Sequence, residues 1–356
     1  MTIRKLVKRM VPYYFLKRYQ DRRDEGKARF KASLSDNREY TDTYISSMKK
    51  IEKSIAICGV CKNVGASLPE TLDSMERTGK LFSKYKLFVY ENNSTDNTKK
   101  ILTNYRAAHP DTAKIIIEDL DEHDVLESCH ARTSDNRPCR MENIARSRNI
   151  VLSCLSDKDF DYVLWVDMDL RDWNIDGVLD SLKYENWDCI TANGLTDEGD
   201  YRDSFAYRDA EYPFGPELLG EYWWKAVSEK IQRKAFNGGL CGVYSAFGGM
   251  AIYRSCAISK FRYSGIVSRD LHSLYLKLMS DKGISKEYTK AMKNARRPVV
   301  EGCLTSIVMY GDDIAYVNNS GYNFPVTCEH VTLHASMILH GFDKIYVNPK
   351  MMVFNN

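Results

Sequence analysis

The amino-acid sequence predicts an α/β fold, with a mainly parallel central sheet flanked by helices. Three features of its 356 residues carry that expectation. Short apolar runs rich in β-branched residues alternate with helix-like stretches, which makes right-handed βαβ units. Polar clusters fall where the apolar runs end. The most abrupt of those ends is Tyr162-Val-Leu-Trp-Val-Asp167-Met168-Asp169, an apolar run that stops on two carboxylates one residue apart.

The elements follow in order. Ser54-Ile-Ala-Ile-Cys58-Gly59-Val60 reads as the first strand, followed by Lys62-Asn63 and a helical pattern over 68–82. Lys86-Leu-Phe-Val-Tyr90 is the second strand. It ends in a cluster from Glu91 to Thr98 whose side chains suit capping of a helix over 98–108. Residues 114–117 form a third β-rich run, 140–155 a third helix and 162–166 a fourth strand. Ligands of such sheets bind beyond the carboxyl ends of the strands. Residues 59–63, 91–94 and 167–169 all fall there, so three polar clusters are expected on one rim. Further along, a β-like run follows Gly248-Gly249, a helix runs from Cys328 to Leu339, and Gly341-Phe-Asp-Lys-Ile-Tyr-Val-Asn-Pro349 reads as a turn and final strand.

In an extended chain Asp167 and Asp169 would point to the same side. Two adjacent carboxylates repel, and a bound Mn²⁺ or Mg²⁺ removes that cost while its other face holds a diphosphate. The competing reading is a surface turn after a core strand.

Together these segments resemble the GT-A glycosyltransferases, and in particular family 2-like members, which move a sugar from a nucleotide diphosphate to an acceptor. The resemblance lies in Tyr90-Glu-Asn-Asn-Ser-Thr-Asp-Asn-Thr98, Glu142-Asn-Ile-Ala-Arg146-Ser-Arg148-Asn149 and Val166-Asp-Met-Asp169, in matching order over residues 54–350. Tyr201-Arg-Asp-Ser-Phe-Ala-Tyr-Arg-Asp209 and Ser245-Ala-Phe-Gly-Gly-Met-Ala-Ile-Tyr253 are similar to segments of the fungal capsule-associated mannosyltransferases. The resemblance implies a Rossmann-like nucleotide-binding sheet in a single catalytic domain over 51–350. Residues 51–170 would form its nucleotide-sugar-binding half and 171–350 its acceptor half, with a basic extension over 1–50 and a tail over 351–356.

It also implies roles. Cys58, Val60 and Lys62 would contact the donor's base and ribose with Glu91, an acceptor-only carboxylate that suits the N–H groups of uracil or guanine. Arg148 would lie at the diphosphate or the metal carboxylates. Asp169 would ligate the cation directly, and Asp167 would share the metal or meet the ribose, the sugar or a metal-bound water. Glu329 stands where inverting relatives place the base that takes the acceptor's proton. His330 occupies a position often acidic and is expected as a metal ligand or acceptor contact. Asp313, with Asp312, is the competing base, its alternative being a Gly-Asp turn. Tyr207 and Trp223, in an aromatic-rich stretch over 197–233, and Gly248 and Gly249 are expected at the acceptor, because flat rings suit the C–H face of a sugar. The polar loop over 119–140 receives no chemistry.

Composition agrees with one large core, at 44% apolar residues. Ten cysteines without paired spacing point to a reducing compartment, and Cys58-x-x-Cys61 has no second pair for a metal. Residues 1–30 carry ten Lys/Arg against three acids, +7, which leaves −4 of the total +3 on the rest. With Ile3, Leu6, Val7, Met10 and Tyr14 at helical spacing, this extension is expected to lie on an anionic membrane without spanning it. A mildly acidic body argues against nucleic acid. The expected protein is a metal-dependent glycosyltransferase, cytoplasmic and peripheral on the inner face of a membrane. It would use a UDP- or GDP-sugar and a saccharide or lipid-linked saccharide acceptor in glycan or surface polysaccharide synthesis. A nucleotidyltransferase and a catalytically silent sugar- or nucleotide-binding protein are the alternatives. For the former, Gly59-Val-Cys-Lys-Asn63 lacks the expected Gly-rich basic loop.

Overall fold

The computed structural model describes residues 42–121, 125, 129–131, 133, 136–156, 158–196, 199–280, 307–310, 314–317 and 324–354. The basic segment over 1–30 and the pair Asp312 and Asp313 lie outside the described residues. Among those described, no helix is long and apolar enough to cross a membrane.

In chain order the elements are α1 (Asp42–Ser47), β1 (Ile51–Cys61), α2 (Leu68–Lys80), β2 (Phe82–Asn92), α3 (Thr98–Ala108), β3 (Ala113–Glu118), α4 (Arg140–Ser153), β4 (Tyr162–Val166), α5 (Ile175–Ser181) and β5 (Cys189–Leu195). Then come α6 (Pro216–Leu219), a π-helical turn (Trp223–Val227), α7 (Ser228–Gln232), β6 (Cys241–Gly242), β7 (Met250–Arg254), α8 (Ser255–Ile258) and α9 (Arg269–Ser280). A hairpin of β8 (Ile307–Tyr310) and β9 (Ile314–Val317), α10 (Glu329–Leu339) and β10 (Ile345–Phe354) complete the set.

Eight strands form one sheet in the order β3-β2-β1-β4-β7-β5-β10-β6. The α/β class with a mostly parallel sheet is as expected, since β3, β2, β1 and β4 are parallel neighbours. The second half departs from it: β7 runs antiparallel between β4 and β5, and β6 is antiparallel to β10. That reversal brings the start of β7 beside the end of β4, with Val166 opposite Met250. β10 also extends four residues past 350, because Met351 and Val353 are buried and Met352 pairs with Asn193, so residues 351–354 of the expected tail are strand.

The central strands are buried on both faces, as parallel strands covered by helices must be. α2 buries Leu68, Leu72 and Met75, one stripe at helical spacing. α4 buries Ala145, Arg148, Val151 and Leu152. Arg148 sits on the inward stripe of its helix, three residues from Ala145 and three from Val151, so the fold carries a guanidinium into the core. α10 is buried along nearly its whole length, from Glu329 to Met337.

Candidate functional site

Four segments meet beyond the C-terminal ends of β1, β2 and β4. The first is the acidic turn. β4 ends at Val166 and the chain turns at once, with Leu170 N bonding back to Asp167 O at 3.3 Å. Met168 is buried at 2% exposure, whereas Asp167 is half-buried and Asp169 exposed. The two acids therefore leave the core through a tight turn anchored by Met168, not on the extended strand expected from the sequence. Gly59 of β1 makes room for that anchor, since a Cβ there would lie 2.2 Å from Met168 Sδ.

The second segment is α4. Arg148 Nη2 donates to Asp167 Oδ1 at 3.3 Å and Nε to Glu329 Oε1 at 3.1 Å. Its guanidinium lies 5.0 Å from the Trp165 ring and 4.9 Å from that of Phe247, a cation between aromatic faces. Burial opposes its charge, but Glu329, Tyr263 and Asp167 hold the proton more tightly than usual. The third segment follows β5. Arg202 Nη2 donates to Asp167 Oδ2 at 3.1 Å, and Asp203 accepts from Gly248 N at 3.0 Å and Ala206 N at 3.3 Å. Gly248 has φ of 66° and sits so close to β5 that a Cβ would meet Ala192 O at 2.4 Å. Its neighbour Gly249 accepts from Asp167 N at 2.8 Å. Both glycines thus hold carboxylate residues by their backbone. Burial, with Asp169 and Asp203 adding to it, raises the Asp167 carboxyl from 3.8 to about 7 against the pull of Arg148 and Arg202.

The fourth segment is the start of α10. Glu329 is 5% exposed, paired with Arg148 and approached by Cys328 Sγ at 3.6 Å. His330 is buried beside it, its ring stacked on Phe247 at 3.8 Å and edge-on to Tyr263 at 5.3 Å. Burial, Arg148 and His334 push its pKa far down, and neither ring nitrogen has a hydrogen-bond partner, although Nε2 lies 3.6 Å from Glu329 Oε1. Among the described residues no three His, Cys, Asp or Glu side chains gather as a ready metal cage. His330, expected as a metal ligand or acceptor contact, is thus enclosed between aromatic rings beside Glu329.

At the far side of the rim, Glu91 ends β2. It is fully buried, with Oε1 accepting from Ser94 N at 2.7 Å and Oε2 without a partner. The neighbouring loops are stitched together: Asn63 N donates to Ser94, Val64 N to Thr98 and Gly65 N to Asp96, each at 2.9 Å. Cys58 is buried, its thiol pushed well up by burial, and it pairs with Phe88 of β2 on one side and Trp165 of β4 on the other; Val60 is half-buried and Lys62 exposed.

Tyr207 and Trp223 sit differently from expectation. Tyr207, 1% exposed, packs on Tyr201 and Phe236, and Trp223 is fully buried, because the aromatic stretch folds inward onto the core. Their place on an open acceptor surface is corrected by that packing. Beneath the stretch, Arg208 pairs with Glu217 at 3.2 Å, both almost fully buried, and Tyr275 bonds the same carboxylate. Sequence reasoning assigned no role to Arg202 or Asp203, although the segment that contains them was singled out by resemblance. The signal was an Arg-Asp pair between aromatic residues; nothing local says that it reaches Asp167.

No curated protein matches the sequence. Among solved structures, a Staphylococcus aureus TarS fragment (1–349) is similar at 14% identity and a TM-score of 0.34, over 59% of this chain and 50% of that one. Glucosyl-3-phosphoglycerate synthase from Mycobacterium tuberculosis, solved with Mg²⁺ and UDP, is similar at 16% identity and a TM-score of 0.31, over 58% of each chain. The chain thus spans about half the length of the TarS fragment it matches. A family model described as Cryptococcal mannosyltransferase 1 matches residues 55–274, more than half of the chain. This agrees with the resemblance read from the 201–209 and 245–253 segments, and on that match the chain belongs to the Cryptococcal mannosyltransferase 1 family.

Proposed function

We propose that this protein is a metal-dependent glycosyltransferase that moves a mannosyl group from a nucleotide-diphosphate donor to a saccharide acceptor. One observation carries the reading: an unpartnered, buried carboxylate oxygen on Glu91 and the acidic turn at Asp167 and Asp169 stand at the ends of strands separated only by β1. Two strand spacings are roughly 10 Å, the reach of a nucleoside from its base edge to its phosphates. Glu91 Oε2 can only accept, so it suits a base N–H.

The residues present fit a divalent cation. Both oxygens of Asp167 are engaged by arginines, whereas Asp169 is exposed and would be the direct ligand, with diphosphate and water completing an oxygen shell. A cation bound there would offset the negative charge that grows on the departing diphosphate. The chain's own groups do the remaining work. Arg148 and Arg202 each keep a buried Nη1 without a partner, and both sit against Asp167, where they can orient phosphate oxygens. Glu329 holds Arg148 in place through its Nε. Glu329 and Asp203 are the candidate carboxylates for an attacking hydroxyl's proton, with Glu329 the more enclosed.

A saccharide or lipid-linked saccharide acceptor, glycan or surface polysaccharide synthesis, and contact of residues 1–30 with an anionic membrane belong to the same proposal. Thermal-shift screening of UDP- and GDP-linked sugars with and without Mn²⁺ tests it. A nucleotide-linked mannose should stabilise the protein only with the metal present, and release of nucleoside diphosphate should stop on chelation. Stabilisation by nucleoside triphosphates with pyrophosphate release would overturn it in favour of nucleotidyl transfer.

A further inference from the structure

We infer that Trp224 and Phe205 form a stacking platform for the acceptor saccharide beside the reacting centre. This rests on the glycosyltransferase reading above.

Among the described residues only two large apolar side chains are strongly exposed, and Trp224 is the sole aromatic, with 53% of its surface in solvent. It is not a stray surface residue. Its ring lies nearly parallel to Phe205, at 18° and 6.3 Å between centroids. Trp223, fully buried, braces both edge-on, at 4.6 Å from Trp224 and 6.4 Å from Phe205. The two tryptophans open a π-helical turn, a geometry found often at functional sites and one that here seats adjacent indoles at 87°. An indole held rigid with most of its surface in water presents apolar area at little further entropic cost, which is what the C–H face of a pyranose needs.

Position supplies the occupant. Phe205 lies three residues after Arg202, which contacts Asp167, and two after Asp203, which is fixed by Gly248 N. Three residues span at most about 10 Å. The platform therefore shares a chain segment with Arg202, whose side chain reaches the acidic turn. A short saccharide with one ring on Trp224 can bring a terminal hydroxyl to Asp203 and the donor sugar. The half-buried carboxylate of Asp203 is held by two backbone N–H groups, leaving lone pairs for that hydroxyl.

The test uses the full chain with Mn²⁺ and the nucleotide sugar found by thermal shift. Acceptors are methyl mannoside, mannobiose and mannotetraose, beside an array of other hexose and pentose oligosaccharides. Wild type should show acceptor KM falling with chain length. W224A should raise the KM for the best oligosaccharide about tenfold and erase the length dependence, while donor KM holds and kcat changes less than twofold. W224F should keep most of the advantage. Because F205A disturbs packing, its melting temperature is read alongside, and saturation-transfer NMR of the oligosaccharide with W224A and wild type gives a readout free of turnover. An unchanged acceptor KM in W224A, equal rises in donor and acceptor KM, or no oligosaccharide bound by wild type overturns the platform. Absence of nucleoside diphosphate release from every donor instead overturns the function on which it rests.

Discussion

Residues 51–170 and residues 171–354 build the two sides of one site by different means. In the first region the polar groups sit at the ends of neighbouring strands and bond between successive βα loops, as Asn63, Val64 and Gly65 do with Ser94, Thr98 and Asp96. In the second, contacts come from pairs outside any such repeat, Arg202 with Asp167 and Asp203 with Gly248, and from an antiparallel strand inserted out of order. Repeated βα units place a site through local pattern. The irregular half places its share through long-range burial, where a single residue change propagates further.

The sharpest way to break the contrast is D169A. If the acidic turn is the cation's anchor, nucleoside diphosphate release should fall by about 10³-fold or more, as losses of transition-state charge stabilisation do. Melting temperature should hardly move, because Asp169 is exposed. Equal losses of stability and activity would mean that the turn is structural.

R148A should behave in the opposite way. Its guanidinium is buried and joins Asp167 in the first region to Glu329 in the second. Removing it leaves the buried Glu329 without its cation and Asp167 with Arg202 alone, so unfolding free energy should drop by about 3–5 kcal/mol in denaturant titrations. E329Q retains an acceptor for Arg148 Nε and should cost far less. A stability equal to wild type in R148A would show that the two regions are not tied together there.

Most of the fold was legible for the same reason that the first region is robust. Strand 162–166 and helix 98–108 coincide with β4 and α3, because an unbroken apolar run bounded by polar residues marks the one and a polar turn cluster before a helical stretch marks the other. Glu91, Asp167, Asp169 and Glu329 each sit at or beside an element end, whereas Arg148 comes from within α4 and was placed by resemblance to a helix motif. What escaped is tertiary. Nothing in a string of aromatic residues says that Tyr207 and Trp223 turn inward and Trp224 outward. No spacing reveals that Arg202 crosses to Asp167. His330 followed a helix-face rule correctly, sharing its face with His334, but that face is packed on Phe247 and Tyr253 rather than open.

E91Q sharpens the donor side. The amide keeps an acceptor for Ser94 N while turning the unpartnered oxygen into a donor, so a base N–H would face N–H. Nucleoside diphosphate affinity measured calorimetrically should weaken about 10–100-fold, the cost of one charged hydrogen bond lost and mismatched. Affinity for inorganic diphosphate with Mn²⁺ should hold. If both weaken alike, Glu91 supports the loop and not the base.

The mildest effect is expected from pH, and it separates binding from folding at one residue. With Asp167 raised to about 7, its carboxyl is largely protonated at pH 6, and a protonated acid neither holds the arginines nor favours a cation. Mn²⁺-dependent donor affinity should therefore rise by up to about tenfold per unit from pH 6 to 7 and level off above. Stability moves the other way. A folded pKa above the unfolded 3.8 means that the folded chain binds the proton more tightly, so this contribution is complete below about pH 4 and is lost as pH climbs through 7. Comparing wild type with D167N cancels the other titrating groups: the variant should lose both slopes. Opposed slopes in wild type, flat in D167N, place the proton on Asp167 at the junction of the two regions. Parallel slopes would assign it elsewhere.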